Sequence, residues 1–280
     1  MPFAHVNGID LHYEIADFTR PWEGEPQTLV FLHGLHGHLQ WWRWYQMAHF
    51  AQYFRVLAVD QRGHGRSFKP AGPYSIEVMA DDLFHLLRLL DIEQAHLCGA
   101  SMGGMVSLQF ALAYPERVRS LVLVDSYPYT PKVIQDAIET WIVDTETRGY
   151  GKVMETFNQD YAAALFSPAF WAAHPEVPAY DTKLVLANLM PDAAFIGCCR
   201  AIQQFSVLNR LGQISVPALI VTSNEGMAYE ESLRMHRLLP KSQLWAPPNV
   251  GHSPHVEIPE EFNRRVLEFL CGVEVGKETR

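Results

Sequence analysis

The sequence predicts an α/β fold in which a mostly parallel, doubly wound sheet is covered by helices on both faces. Short, continuous apolar runs alternate with helical patterns toward both ends of the chain, and such strands are typical of parallel sheets. The alternation stops between residues 126 and 214, where a helical, aromatic-rich segment predicts a lid inserted between two core strands. With 280 residues, of which 48% are hydrophobic and 19% charged, the chain can bury a large core.

The first elements are predicted by turn chemistry. Asn7-Gly8 joins a short extended run to residues that alternate between apolar and polar from Ile9 onward, a pattern typical of a β-hairpin. A connection over 20–27, rich in Pro, Gly and Glu, then leads into the core.

The core elements follow from two patterns: continuous apolar runs predict buried strands, and apolar residues spaced by three or four predict helices. Ser75 is suited to cap the first long helix, and Pro259 is suited to the first turn of the last one. The predicted strands cover 28–32, 55–59, 95–100, 118–124, 217–222 and 242–246, and the predicted helices cover 76–90, 102–114, 229–239 and a segment from Pro259.

The predicted lid, 126–214, separates two core segments, 1–125 and 215–280. Prolines at 168, 175, 178 and 191 divide it into short helices. Its aromatic residues are Tyr127, Tyr129, Trp141, Tyr150, Phe157, Tyr161, Phe166, Phe170, Trp171, Tyr180, Phe195 and Phe205. This composition favours an apolar or aromatic substrate.

Charge and cysteine content limit the classes of function. A formal net charge of −9 argues against nucleic-acid binding, which calls for a basic surface. The N-terminal residues show no secretory signal pattern, and no stretch is apolar enough to span a membrane. Four cysteines without a CxxC pair do not indicate a disulfide framework. We expect a cytoplasmic protein with a small-molecule substrate and no nucleic-acid or membrane partner; whether it forms a homodimer stays open.

The motif that indicates chemistry is Gly99-Ala100-Ser101-Met102-Gly103, which lies where a predicted strand ends and a predicted helix begins. In that context G-x-S-x-G is typical of a nucleophile elbow, a strained turn that exposes the serine hydroxyl at the carboxyl edge of the sheet. The same turn directs the Met102 amide toward a developing oxyanion. Ser101 is therefore the candidate nucleophile.

Two further loops at strand ends supply partners for this serine. His33-Gly34-Leu35 follows the strand 28–32, and the Leu35 amide is the candidate for the second oxyanion donor. His252 follows the last strand and a glycine, in the chain order expected for a general base. His255 is its competitor.

These motifs together resemble the α/β-hydrolase fold superfamily over almost the whole chain. The resemblance is carried by HGLHG at 33–37, DQRGHGRS at 60–67, GASMGG at 99–104 and GHSPHVEIPEEFNRRVLEFL at 251–270. The stretch 55–118 is most similar to esterases and enol-lactonases. The resemblance implies a Ser–acid–His triad, an oxyanion hole, a lid and no cofactor. The elbow serine argues against epoxide hydrolases and haloalkane dehalogenases, which carry aspartate there.

The acid of the triad is the point where the sequence departs from this family. Most members carry it shortly after the strand that corresponds to 217–222, but this chain has Gly226 at that position, with Glu225 one residue earlier. Some members carry it at the end of the preceding strand, where this chain has Asp125. We expect Asp125, because the usual position is empty.

The remaining candidates have structural interpretations. His33, His36 and His38 resemble a metal cluster but lack nearby carboxylates, so we expect no metal; His36 or His38 is a candidate substrate contact. Trp42 is expected in the core, with Trp41 or Trp44 lining the pocket. Asp60, Arg62, Gly63, Gly65 and Ser67 are expected to stabilise their loop, and Asp81-Asp82 to form a solvated helix face.

The sequence therefore predicts a serine hydrolase that cleaves a small ester or lactone through an acyl-serine. Three alternatives stay open. A C–C bond hydrolase would use the same triad, and a cofactor-free dioxygenase of this fold would use a His–Asp dyad on an N-heteroaromatic substrate. A non-catalytic binding protein would keep the pocket without a working acid.

Overall fold

The computed structural model describes residues 2–160, 165–224, 226 and 228–278. Among these residues, eight strands form one sheet in the order β1-β2-β4-β3-β5-β6-β7-β8. They are β1 (Phe3–Val6), β2 (Ile9–Ala16), β3 (Thr28–Leu32), β4 (Arg55–Val59), β5 (Ala95–Ala100), β6 (Val118–Val124), β7 (Ala218–Val221) and β8 (Ser242–Trp245). The β1–β2 and β2–β4 pairs are antiparallel and the other pairs are parallel. The predicted α/β class with a mostly parallel sheet is confirmed.

Helices cover the sheet and connect its strands. They are α1 (Gln40–Tyr45), α2 (Met47–Phe50), α3 (Ile76–Leu89), α4 (Met102–Ala113), α5 (Lys132–Arg148), α6 (Tyr150–Asp160), α7 (Pro168–Ala173), α8 (Glu176–Ala187), α9 (Asp192–Gln204), α10 (Tyr229–Leu238), α11 (Pro254–Glu257) and α12 (Pro259–Glu278). The predicted strands and core helices lie within one or two residues of these bounds.

Alternate residues of each central strand enter two separate apolar clusters, one on each face of the sheet. In β3, Val30 and Leu32 join the cluster formed with α3 and α4, whereas Leu29 and Phe31 join the cluster formed with α1, α2 and α12. Side chains alternate across a strand, so apolar residues at every position bury both faces. This double burial explains why the strands are continuously apolar in sequence.

The predicted hairpin turn, helix cap and helix start are confirmed. Asn7 and Gly8 both have positive φ, 49° and 76°, as a two-residue hairpin turn between β1 and β2 requires. The Ser75 hydroxyl accepts a hydrogen bond from the Val78 amide at 3.2 Å and caps α3. Pro259 is the first residue of α12.

The predicted lid corresponds in sequence to α5–α9, which lie between β6 and β7. Ile134, Ile138 and Ile142 of α5 are buried and belong to the same apolar cluster as α3 and α4. Residues 161–164, including Tyr161, and the candidate acid Glu225 lie outside the described residues. Within the described ranges no single helix is long and apolar enough to cross a membrane, while the bent pair α8 and α9 meets that test by length and composition only.

The expectation for Asp82 was wrong. Asp82 is buried and accepts hydrogen bonds from the Arg62 guanidinium at 2.5 and 2.6 Å and from the side-chain Nδ2 of Asn7 at 2.7 Å. It lies three residues after Met79 and four before Leu86, on the apolar face of α3, so the helical spacing itself carried the signal.

The loop after β4 has the structural role that was predicted. The Asp60 carboxylate accepts hydrogen bonds from the Leu39 and Arg66 amides at 2.8 and 2.9 Å and contacts the His12 ring at 2.7 Å. Gly65 has φ 49°, and a Cβ there would lie 2.3 Å from the Asp60 carboxylate. The loop thus needs glycine at this position because the carboxylate occupies the space.

Candidate active site

Ser101 lies in a sharp turn between β5 and α4. Its backbone has φ 52° and ψ −116°, which a non-glycine residue adopts only where the surroundings fix it. A Cβ added to Gly99 would lie 2.2 Å from the Gly103 carbonyl oxygen, and one added to Gly103 would lie 2.2 Å from the Leu32 carbonyl oxygen. Close packing of backbone on backbone therefore requires both glycines of the G-x-S-x-G motif.

The turn after β3 packs directly on Ser101. A Cβ added to Gly34 would lie 3.2 Å from Ser101 Cβ and 3.8 Å from its Oγ. Leu35 follows and lines the cavity in front of the serine. Met102 is the first residue of α4, so its amide is among the first-turn N–H groups that have no partner within the helix.

His33 holds this turn in place through hydrogen bonds at both of its ring nitrogens. Its Nε2 accepts a hydrogen bond from the backbone N–H of Gln61 at 3.0 Å. The proton of the neutral ring is therefore on Nδ1, which donates to the Gly34 carbonyl at 2.8 Å. Burial, and then the charge of His64, lower the pKa of His33 to about 3. Among the described residues, no group of three or more His, Cys, Asp and Glu is arranged to hold a metal ion.

His252 and Asp125 are directly hydrogen-bonded. The Nδ1 of His252 contacts the Asp125 Oδ2, and since a carboxylate only accepts, Nδ1 is the donor. Asp125 is buried and follows β6 with φ 44°, a second strained residue at the carboxyl edge of the sheet. A carboxylate in this position fixes the tautomer of the ring and leaves Nε2 as the basic atom.

The environment of His252 favours its protonated form. Burial opposes the charge, but the negative charge of Asp125, its hydrogen bond and the charge of Glu257 outweigh burial, so the pKa of His252 is raised above 6.5. The carboxylate thus stabilises the imidazolium that forms when the ring accepts a proton.

The loop after β7 supports Asp125. The Thr222 hydroxyl and the Ser223 amide donate to Asp125 Oδ1 at 3.0 and 3.2 Å, and the Ser223 hydroxyl donates to the Val250 carbonyl at 2.5 Å. This loop is where most family members were expected to carry the acid. In this chain its described residues hold Asp125 and connect it to the loop of His252. Sequence patterns gave no sign of these roles.

Glu257 is another residue that sequence reasoning missed. Its carboxylate accepts from the Gly251 amide at 2.8 Å, and from the amide and hydroxyl of Ser167 at 3.2 and 2.6 Å. Gly251 precedes His252, and Ser167 caps α7 in the inserted segment. Glu257 therefore joins the histidine loop to the inserted helices. Burial raises the pKa of Glu257, and these hydrogen bonds only partly offset it.

Ser101, Asp125 and His252 all line one cavity of about 650 Å³. One side is formed by strand-end loops and the other by the inserted segment. Its lining residues are Gly34, Leu35, His36, Trp41, Ala100, Ser101, Asp125, Tyr127, Ile134, Ala137, Ile138, Thr140, Trp141, Leu165, Phe166, Ser167, Pro168, Ile202, Ser223, Gly226, Ala228, Asn249, Val250, Gly251, His252 and His255.

The other candidates are distributed as follows. Trp42 is fully buried in the core and Trp41 lines the cavity, as expected.

His36 lines the cavity beside Tyr150, whose hydroxyl lies 3.2 Å from the His36 Nδ1. His38 instead lies 3.4 Å from Asp181. The His255 ring packs on Trp42 at a tilt of 30° with ring centroids 4.6 Å apart, and neither of its ring nitrogens has a hydrogen-bond partner among the described residues, whereas His252 is bonded to Asp125.

Comparison with known proteins gives consistent matches over nearly the full length. A family model described as the alpha/beta hydrolase fold matches residues 27–259. A protein of Stutzerimonas stutzeri named as the carbamate hydrolase RutD is 30% identical over 274 residues, which cover 94% of this chain and 98% of that protein. The 3-oxoadipate enol-lactonase 2 of Acinetobacter baylyi is 28% identical over 274 residues, covering 95% and 97%. Among solved structures, the enol-lactonase from Burkholderia xenovorans has a TM-score of 0.86 at 25% identity, covering 96% of this chain and 100% of that one.

Proposed function

The chain belongs to the alpha/beta hydrolase fold family and is a hydrolase of that fold, and from this premise we propose that it cleaves an ester or lactone bond of a small apolar or aromatic substrate. The observation that carries the proposal is the hydrogen bond between Asp125 and His252 on the wall of the same cavity as Ser101.

In the proposed mechanism His252 Nε2 removes the proton of the Ser101 hydroxyl as its oxygen attacks the substrate carbonyl. The amides of Leu35 and Met102 stabilise the resulting oxyanion, and each such donor is typically worth about 3 kcal/mol of transition-state stabilisation. The C–O bond breaks as the imidazolium protonates the leaving alcohol, which leaves an acyl-serine. Water, deprotonated by His252, then attacks the acyl carbonyl and releases the acid and the free serine.

Asp125 is the proposed acid of this triad. Thr222 and Ser223 bind its Oδ1 and leave Oδ2 for His252, so the carboxylate is positioned for the ring. The raised pKa of His252 has a consequence for activity: the reaction needs the neutral ring, so turnover falls as the pH drops below that raised value.

The apolar walls support an apolar or aromatic substrate. Ile134, Ile138, Trp141, Phe166 and Ile202 all line the cavity. Lactones also appear in the names of the enol-lactonase and of an enzyme, similar at 26% identity, that degrades N-acyl homoserine lactone.

Carbamate hydrolysis is the second candidate. It is favoured by the relatives named as carbamate hydrolases, which are 26–30% identical and cover 88–97% of this chain. The same residues would act, with a carbamoyl-serine in place of an acyl-serine. Comparing release from matched ester and carbamate substrates of one alcohol separates the two candidates.

Labelling with a fluorophosphonate tests the serine mechanism. We expect rapid modification of Ser101 in the parent protein, slow modification in His252→Ala and none at that position in Ser101→Ala. Well-folded parent protein that stays unlabelled would overturn the proposal and favour a binding protein. Oxygen uptake with an N-heteroaromatic substrate that survives Ser101→Ala would favour the dioxygenase. Cleavage of a vinylogous diketone but not of esters would favour the C–C bond hydrolase.

A further inference from the structure

Charged side chains are scarce among the described residues that line the cavity in front of Ser101. Among its described lining residues none is Lys or Arg, and Asp125 is the single acid. The sequence places no Lys or Arg at 161–164, 225 or 227 either. A negatively charged group of a bound substrate would therefore meet no Lys or Arg among the described residues of these walls.

Two of the three histidines on the wall, His36 and His255, do not replace that missing charge. Burial lowers the pKa of both His36 and His255 to about 3, and the neighbouring His252 adds to the effect. Both rings are neutral at physiological pH, so they offer a substrate only dipoles.

Before the attack, while His252 is neutral, the reacting groups give the cavity a negative charge. His252 must be neutral to act as a base, and the buried Asp125 then carries its charge without a full counter-ion. In the proposed mechanism the first-turn amides of α4 and the Leu35 amide donate hydrogen bonds to the carbonyl oxygen that reacts, so they do not bind a second anionic group. Burying a carboxylate without a partner is strongly unfavourable, and a like charge nearby adds repulsion.

We propose that the cavity selects an uncharged acyl group: the acid part of the ester or lactone carries a hydrocarbon, hydroxyl or amide rather than a free carboxylate. This inference rests on the proposed function and narrows its substrate class. Polar groups on the wall, such as Thr140, Ser167 and Asn249, suit a neutral amide or hydroxyl, which exchanges hydrogen bonds without a net charge.

A pair of p-nitrophenyl esters tests this selection. One is the half-ester of adipic acid, with a terminal carboxylate, and the other is the ester of adipic acid monoamide, with a carboxamide of the same size. We expect kcat/KM for the carboxamide to exceed that for the carboxylate by at least about tenfold at neutral pH. Equal values, or a preference for the carboxylate, would overturn the inference.

A charge introduced on the wall gives the matched control. Ala137 lines the cavity on α5, and the residues three and four positions away on the helix carry no acid that would capture a lysine. We expect Ala137→Lys to raise the carboxylate-to-carboxamide ratio of kcat/KM by about three- to tenfold relative to Ala137→Met, which fills the same space without charge. An unchanged ratio in a folded variant would count against the inference.

The outcome separates this inference from the proposed function. If the fluorophosphonate labels Ser101 but the carboxamide ester is not preferred or not cleaved, the charge selection is wrong while the serine mechanism stands. If Ser101 is not labelled and neither ester is cleaved, the proposed function itself fails.

Discussion

The strand-end loops and the inserted helices form opposite walls of one cavity, but they are built on different principles. The loops place Ser101 and Asp125 in strained backbone conformations, fixed by contacts to neighbouring strands such as Ser101 N to Val124 O at 2.8 Å and Asp125 N to Val221 O at 2.7 Å. The inserted wall instead contributes mainly apolar side chains, such as Ile134 and Ile138, from regular helix. In the proposed mechanism, chemistry therefore depends on backbone position, whereas substrate choice depends on side-chain shape.

A small number of polar contacts connect the two walls. Glu257 links the loop of His252 to Ser167, and Trp41 Nε1 donates to Asp181 of α8 at 2.5 Å. These contacts are expected to decide how far changes in one wall affect the other.

The largest effect is expected from changing Asp125, the proposed acid of the triad, on the wall that the strand-end loops form. Asp125→Asn keeps the size of the side chain but removes the charge that orients His252 and stabilises its protonated form. We expect kcat to fall about a thousandfold or more, measured with a p-nitrophenyl ester. Glu225→Gln is the control and is expected to stay close to the parent. The reverse pattern would assign the acid to Glu225.

Breaking the connection between the walls is expected to have an intermediate effect. Glu257→Ala removes the acceptor for Gly251 and Ser167, and we expect kcat to fall about tenfold or more because the histidine loop loses its support. Glu257→Gln, which keeps an acceptor, should recover part of that loss. Equal activity of parent and Ala variant would show that the walls are independent.

The same residue predicts a change in pH dependence. The charge of Glu257 contributes to the raised pKa of His252, so Glu257→Gln should lower that pKa. Since the neutral ring is the active form in the proposed mechanism, the acidic limb of the kcat/KM profile should move to lower pH. A limb that stays in place, or moves to higher pH, would contradict this assignment.

The smallest effect is expected from the inserted wall. Ile138→Ala enlarges the apolar side of the cavity and leaves Ser101 and His252 unchanged. We expect KM for a hydrocarbon ester to rise several-fold while kcat stays within about twofold, since uniform binding is lost. A large fall in kcat with an unchanged KM would show that this wall takes part in the chemical step.

The sequence predicted the parts of the molecule that local geometry determines. Glycines that pack on backbone identified the turn of Ser101, and double burial identified the strands. The support of Asp125 by Thr222 and Ser223 was not visible, because it depends on the pairing of β6 with β7 across about 97 residues of chain. Glu257 and Ser167 are 90 residues apart, and no local pattern indicates such a contact. The prediction that Asp82 lies on a solvated helix face was wrong. Its charge is paired with Arg62, which allows it to lie on the buried, apolar face of α3.

Intact-mass analysis during turnover shows whether catalysis proceeds through an acyl group on Ser101. Parent protein quenched while it hydrolyses a p-nitrophenyl ester should gain the mass of the acyl group, located on the peptide that contains Ser101. Ser101→Ala should show neither the adduct nor turnover. Turnover that continues in Ser101→Ala, or an adduct on a different residue of the parent, would contradict the account.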